Sequence, residues 1–97
     1  MWLLQASASD EPVTFRVKSG ATMTVGRAPR ADFILDAPLV SRLHCRLEAR
    51  EDTLDVIDLS STNGLYVNDK RVRRARLTSG DRLRIGRVEL EIKKMDV

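Results

Sequence analysis

Two arginines, two hydroxyls and an amide stand where the regular alternation of this chain breaks: Arg27, Ser41, Arg42, Thr62 and Asn63. Each falls at the end of an alternating run or in the small-residue stretch beyond it. Such positions are held by rigid elements yet left open to a ligand. Gathered in one place, the five side chains make a set of hydrogen-bond donors with two fixed positive charges and no carboxylate among them. A phosphate dianion demands that chemistry, because its oxygens accept several charge-assisted bonds at once and a guanidinium fork matches them in pairs.

Catalytic alternatives find little support in the residues. His44 is the one histidine, so any Ser-His or histidine-metal mechanism would have to pass through it. There is no G-x-S-x-G elbow and no metal-type spacing of ligands around it. Aspartates and glutamates are scattered over strand faces and turns, where solvated surface charge explains them. The sequence therefore predicts a protein that is not an enzyme and needs neither cofactor nor metal. Cys45 stands alone, which rules out an internal disulfide and favours a reducing compartment; a buried apolar role is expected for it.

The elements that must position the five residues are short strands. Val13, Phe15 and Val17 alternate with Thr14, Arg16 and Lys18 in the period of two of a half-buried strand. The same reading gives strands over Trp2–Gln5, Thr22–Val25, Phe33–Leu35, His44–Ala49, Thr53–Leu59, Leu65–Val67, Arg71–Val72, Ala75–Leu77, Arg82–Ile85 and Val88–Ile92. Turns are expected at Ala6–Pro12, Ser19-Gly20, Arg50-Glu51-Asp52, Asn68-Asp69-Lys70, Ser79-Gly80-Asp81 and Gly86-Arg87. Loops should carry Arg27, with Pro29 against continued pairing, and Ser41-Arg42, with Pro38. Nowhere is there a long apolar stripe at helical spacing. An all-β sandwich follows, with its loops gathered at the two ends.

At 97 residues the chain reads as one domain, residues 1–97. It is 42% hydrophobic and 32% charged, a globular balance. A net charge of +3, carried mostly by arginine, makes an anionic partner plausible. The opening Met1–Gln5 lacks a basic leader and a long apolar stretch, so a cytoplasmic, non-membrane protein is expected.

Taken together, the breaks in alternation resemble a known family. Gly26-Arg27, Ser41-Arg42-Leu43-His44, Asp58–Gly64 with Tyr66-Val67-Asn68, and Gly80–Leu83 with Ile85-Gly86 occur in the order and spacing of the forkhead-associated (FHA) domain. The resemblance covers about residues 13–92. It implies a sandwich of about eleven mostly antiparallel strands that binds phosphothreonine-containing segments of partner proteins in signalling. It further implies that Arg27 and Ser41 contact the phosphate, that Arg42 adds charge beside it, and that Thr62 supplies a hydroxyl nearby. Asn63 matches the residue that bonds the ligand backbone, Gly26 and Gly64 match glycines that let the chain turn, and His44 matches a histidine that braces the loops. Leu39 stands where the family often senses the ligand three positions after the phosphothreonine, and Leu65 where many members carry threonine. The implied partner is a substrate of a Ser/Thr kinase, preferred with phosphothreonine over phosphoserine, and the isolated domain is expected to be monomeric.

Two other readings compete. Lys70-Arg71-Val72-Arg73-Arg74-Ala75-Arg76 is a basic run that nucleic acid would attract. Yet Trp2, Phe15, Phe33 and Tyr66 are the only aromatics and form no evident stacking platform, so no nucleic-acid partner is expected. The other is an FHA sandwich that binds its partners without phosphate, which the presence of both Arg27 and Ser41 opposes.

Overall fold

The alternation translates directly into strands. In the computed structural model, which describes residues 1–6 and 12–95, the elements are β1 (Trp2–Ala6), β2 (Val13–Val17), β3 (Thr22–Gly26), β4 (Phe33–Ile34), β5 (Cys45–Ala49), β6 (Leu54–Asp58), β7 (Leu65–Val67), β8 (Lys70–Val72), β9 (Arg74–Leu77), β10 (Arg82–Ile85) and β11 (Val88–Lys94). They form two sheets, ordered β2-β1-β11-β10-β7-β8 and β4-β3-β5-β6-β9. Neighbours pair antiparallel except β3 and β4, which run parallel. Of the expected turn at Ala6–Pro12, residues 7–11 lie outside the described residues.

The inward residues of each strand meet between the sheets. Trp2, Leu4, Leu83, Ile85, Leu90 and Ile92 from the first sheet face Val25, Leu47, Leu54, Val56 and Leu77 from the second, all of them buried. Each large aliphatic side chain so buried contributes roughly 1.5–3 kcal/mol. Phe15 and Phe33 stack at 4.7 Å between ring centroids and close the side of the sandwich where β2 and β4 are the edges. Cys45, Leu47 and Ala49 share the inward face of β5, as their spacing predicts. Burial pushes the Cys45 thiol far above its ordinary pKa, and its register partner Asp58 adds to the effect, so the sulfur is an inert core atom.

Two boundaries differ from the sequence reading in ways that matter. His44 precedes β5 instead of opening it, which frees its ring to serve loops on both sides. Lys70 belongs to β8, paired with Val67, so the hairpin turn is Asn68-Asp69 alone. Both residues have positive φ, 49° and 70°, the left-handed pair that a two-residue hairpin needs, and the Asn68 side chain locks it through bonds to Asp81 and to the Arg82 amide.

This topology sets the site. The end of β3, the start of β5 and the end of β6 are brought side by side by the registers Val25↔Cys45 and Cys45↔Asp58. Loops 27–32, 35–44 and 59–64 therefore leave the sandwich at one end. The outward face of the second sheet carries a charged strip in which Asp55, its side chain only 4% exposed, accepts bonds from Arg74 at 3.3 Å and Arg76 at 3.2 Å. Burial raises the Asp55 carboxyl pKa, but the two guanidinium groups more than reverse that and hold it below the usual carboxylate value. A carboxyl depressed in the folded state stabilises above its unfolded pKa, about 3.9, and loses that contribution as pH falls through the lower folded value. Urea midpoints followed from neutral pH to below about pH 4 should fall less steeply in Asp55→Asn than in the parent. Parallel acid limbs in the two proteins would contradict the pairing.

Candidate functional site

Arg27 leaves β3 at a place where only glycine fits before it. A Cβ on Gly26 would overlap the Arg42 carbonyl and crowd the Leu43 Cα. That closeness is used by the backbone: the Arg27 amide donates to Ser41 O at 3.0 Å and the Ala28 amide to Arg42 O at 3.0 Å. The Arg27 side chain is steadied by its Nε–H, which donates to Val40 O at 3.2 Å. Among the described residues the two terminal guanidinium nitrogens have no partner. The fork is held at its base and open at its tip, the condition for bidentate anion binding.

His44 ties the second loop to the third. The Ser41 amide donates to His44 Nδ1 at 3.1 Å, which leaves the ring proton on Nε2 to donate to Gly64 O at 2.7 Å. The imidazole is fully buried, and its own backbone is fixed as well, with N–H donating to Val25 O and C=O accepting from the Leu59 amide. Around the same junction the Ser41 hydroxyl accepts from the Thr62 amide at 3.0 Å and keeps its own proton for a ligand. Asn63 Nδ2 donates to Leu39 O at 3.1 Å, across from one loop to the other. Leu39 itself has φ 70°, so the loop is turned sharply at its tip.

The third loop is built by its own side chains. Asp58 Oδ1 accepts from the Ser61 amide at 3.3 Å, and the Ser61 hydroxyl accepts from the Gly64 amide at 3.0 Å. Gly64 sits at φ 87°, where a side chain would be strained and would also strike the Arg71 guanidinium.

The result is an open cavity of about 570 Å³ onto which Arg27, Ser41, Arg42, Thr62 and Asn63 all face. All five residues singled out for an anion site are thus brought together, with Gly26, His44 and Gly64 directly behind them. Asp36, Ala37, Pro38 and Val40 also line the cavity, and two of them bear on its chemistry. Asp36 brings one carboxylate to the same cavity as the two arginines, and Val40 supplies the carbonyl that steadies Arg27. The only signal for either in the sequence is membership of the loop around Pro38. Arg42 is exposed, and among the described residues its guanidinium has no partner. The cavity can therefore hold a compact anion through fixed donors, and Asn63, with one amide proton given to Leu39 O, keeps a second for another acceptor.

Comparison with known proteins places this geometry. The family model described as the FHA domain matches residues 23–86. The glycogen accumulation regulator GarA of Mycobacterium tuberculosis is 39% identical over 70 residues, which are 72% of this chain and 43% of that protein. An oxoglutarate dehydrogenase inhibitor of Corynebacterium diphtheriae is 39% identical over 69 residues, 71% of this chain and 48% of that one. The chain thus spans less than half the length of these relatives. Among solved structures, the FhaA FHA domain complexed with the intracellular domain of Rv3910 superposes with a TM-score of 0.86 at 30% identity, covering 96% of this chain and 100% of that one. Mycobacterium tuberculosis EmbR, solved with a low-affinity phosphopeptide, gives 0.83 at 28% identity over 99% of this chain and 25% of that one.

Replacing His44 by alanine should cost about 2–4 kcal/mol, because a buried carbonyl and a part-buried amide lose their partner together. Chemical denaturation measures it, and an unchanged unfolding midpoint would show that the ring is not the tie between the loops.

Proposed function

Because the chain belongs to the FHA domain family, we propose that it is a phosphothreonine-dependent protein-interaction module and acts by binding, with Arg27 and Ser41 as its phosphate contacts. The observation that carries this reading is the convergence of the open Arg27 fork and the Ser41 hydroxyl proton on one cavity. Arg42 adds positive charge at the rim, and the Thr62 hydroxyl completes the ring of donors. Asn63, braced through Leu39 O, offers its amide to the ligand backbone and so positions the segment without reading its side chains. Leu39, exposed beside it, meets a side chain further along the ligand. Phosphopeptide and partner-domain complexes of the similar EmbR and FhaA domains support the assignment.

The ligand is a segment phosphorylated by a Ser/Thr kinase, met in a reducing, cytoplasmic setting that suits a free buried thiol. The isolated domain works as a monomer. No helix among the described residues is long and apolar enough to cross a membrane.

The basic run 70–76 favours this reading over nucleic-acid binding once it is folded. Lys70 and Arg71 lie on β8 in the first sheet, whereas Arg74 and Arg76 lie on β9 in the second and are engaged with Asp55. The run is split between two sheets and does not form one continuous basic face.

Charge-assisted hydrogen bonds contribute roughly 1.5–3 kcal/mol each, so Arg27→Ala should weaken binding of a phosphothreonine peptide by about ten- to a hundredfold in calorimetry. Affinity equal to the parent would remove Arg27 from the phosphate. Asn63→Ala should weaken the same peptide while its unfolding midpoint stays close to the parent's; loss of cooperative unfolding would make Asn63 a structural residue instead. An oriented library should be retained with phosphothreonine and pass through with phosphoserine or threonine, and equal retention of all three would overturn phosphate dependence.

A further inference from the structure

The loop 60–64 has a second side. Ser60 and Ser61 line a separate, partly open cavity of about 710 Å³ together with Asp58, Arg71, Val72 and Arg73. It lies at a corner of the sandwich, where the crossing from β6 to β7 runs beside the return from β8 to β9. Arg73 is the residue between those last two strands, and its carbonyl accepts from the Asp58 amide at 2.7 Å, so the corner is pinned.

Arg71 is held against this corner by a specific absence of bulk. A Cβ on Gly64 would come within 2.6 Å of its Nε and 3.0 Å of its Cζ, so the guanidinium lies directly on the glycine backbone. Across the pair β7–β8 it stands beside Tyr66, whose ring is covered by Arg84 at 4.4 Å. Arg46, Arg74, Arg76, Arg82 and Arg84 each have a carboxylate partner. Among the described residues neither Arg71 nor Arg73 has one. Among the described residues Asp58 is the single carboxylate of the cavity, and one of its oxygens is already occupied by the Ser61 amide. Two cations thus face one partly engaged anion in a concave polar site.

We propose that Arg71 and Arg73 form a second anion subsite, which takes a further phosphate or carboxylate carried by the same ligand segment as the phosphothreonine. This rests on the reading of the first cavity as the phosphothreonine site. The two cavities share one loop, with Thr62 and Asn63 lining the first and Ser60 and Ser61 the second. Five residues span at most about 17 Å, a distance that an extended ligand crosses in about five residues or fewer. A peptide bonded by Asn63 is therefore within reach of Arg71 and Arg73. Paired guanidinium groups suit a tetrahedral dianion best and a carboxylate less well, so a doubly phosphorylated segment is the stronger ligand.

The test uses the whole chain and peptides with one fixed phosphothreonine, in which a second phosphoserine, or a glutamate, is stepped through the neighbouring positions on either side. Fluorescence polarisation should show about tenfold tighter binding at one or two positions only. A gain with phosphoserine alone identifies a second phosphorylation, and a gain with both identifies a general acidic preference; either supports the subsite. In Arg73→Gln, and in Arg71→Gln/Arg73→Gln, the gain should vanish while the singly phosphorylated peptide binds within about twofold of the parent. A gain spread evenly over all positions, or one that survives in the double variant, would overturn the subsite and leave only diffuse attraction. Failure of the singly phosphorylated peptide to bind at all would overturn the reading of the first cavity, and the subsite with it.

Discussion

A single imidazole holds two loops of this molecule in register. His44 accepts from the Ser41 amide and donates to the Gly64 carbonyl, and it does so with no exposure to water. Without it, the buried Gly64 carbonyl and the part-buried Ser41 amide would lose their partner, and the loops they belong to would keep only their more exposed ties. Everything that faces a ligand is arranged around that bridge. Ser41, next to the ring's partner amide, takes the Thr62 amide on its hydroxyl; Asn63 reaches back to Leu39; Arg27 is steadied by Val40 and paired through its backbone with Ser41. The side chains that line the cavity are thus few, and most of the order they need comes from main-chain atoms.

Close approach of backbones explains the glycines at the site. Gly26 lets the Arg42 carbonyl pass against β3, and Gly64 lets a guanidinium rest on the third loop. Gly86 does the same from the other sheet, at φ 61°, where a Cβ would press on Pro38 O and the Val40 side chain. Loop 35–44 is therefore backed by the first sheet while its ends belong to the second. Such a site is preformed, so little ordering is left to oppose binding.

Much of this was legible in the residues themselves. Strands such as Val13–Val17 and Leu65–Val67 follow from alternation, because one face of each is buried and the other is wet. The types at positions 27, 41, 42, 62 and 63 suggest an anion site, and the gathering of loops at one end of a sandwich suggests that they meet, as they do on one cavity. What alternation cannot carry is the order of strands in a sheet. The parallel pairing of β3 with β4 and the crossings at the corner of the sandwich depend on long-range packing. For that reason Asp36 was not expected beside two arginines. The basic run 70–76 is continuous in sequence, but Asn68-Asp69 shortens the hairpin and Arg73 carries the chain to the other sheet. Its charges then serve different ends, with Arg74 and Arg76 tied to Asp55 and Arg71 and Arg73 left to a cavity of their own.

The proposed function depends on a phosphate seated between the Arg27 fork and the Ser41 hydroxyl, with the ligand backbone on Asn63. A crystal structure of the chain with a singly phosphorylated threonine peptide tests it most directly. Phosphate oxygens are expected within about 3 Å of the Arg27 terminal nitrogens and of Ser41 Oγ, and the Asn63 side chain bonded to the peptide main chain. A phosphate found instead at Arg71 and Arg73, or a peptide that lies away from Asn63, would contradict it.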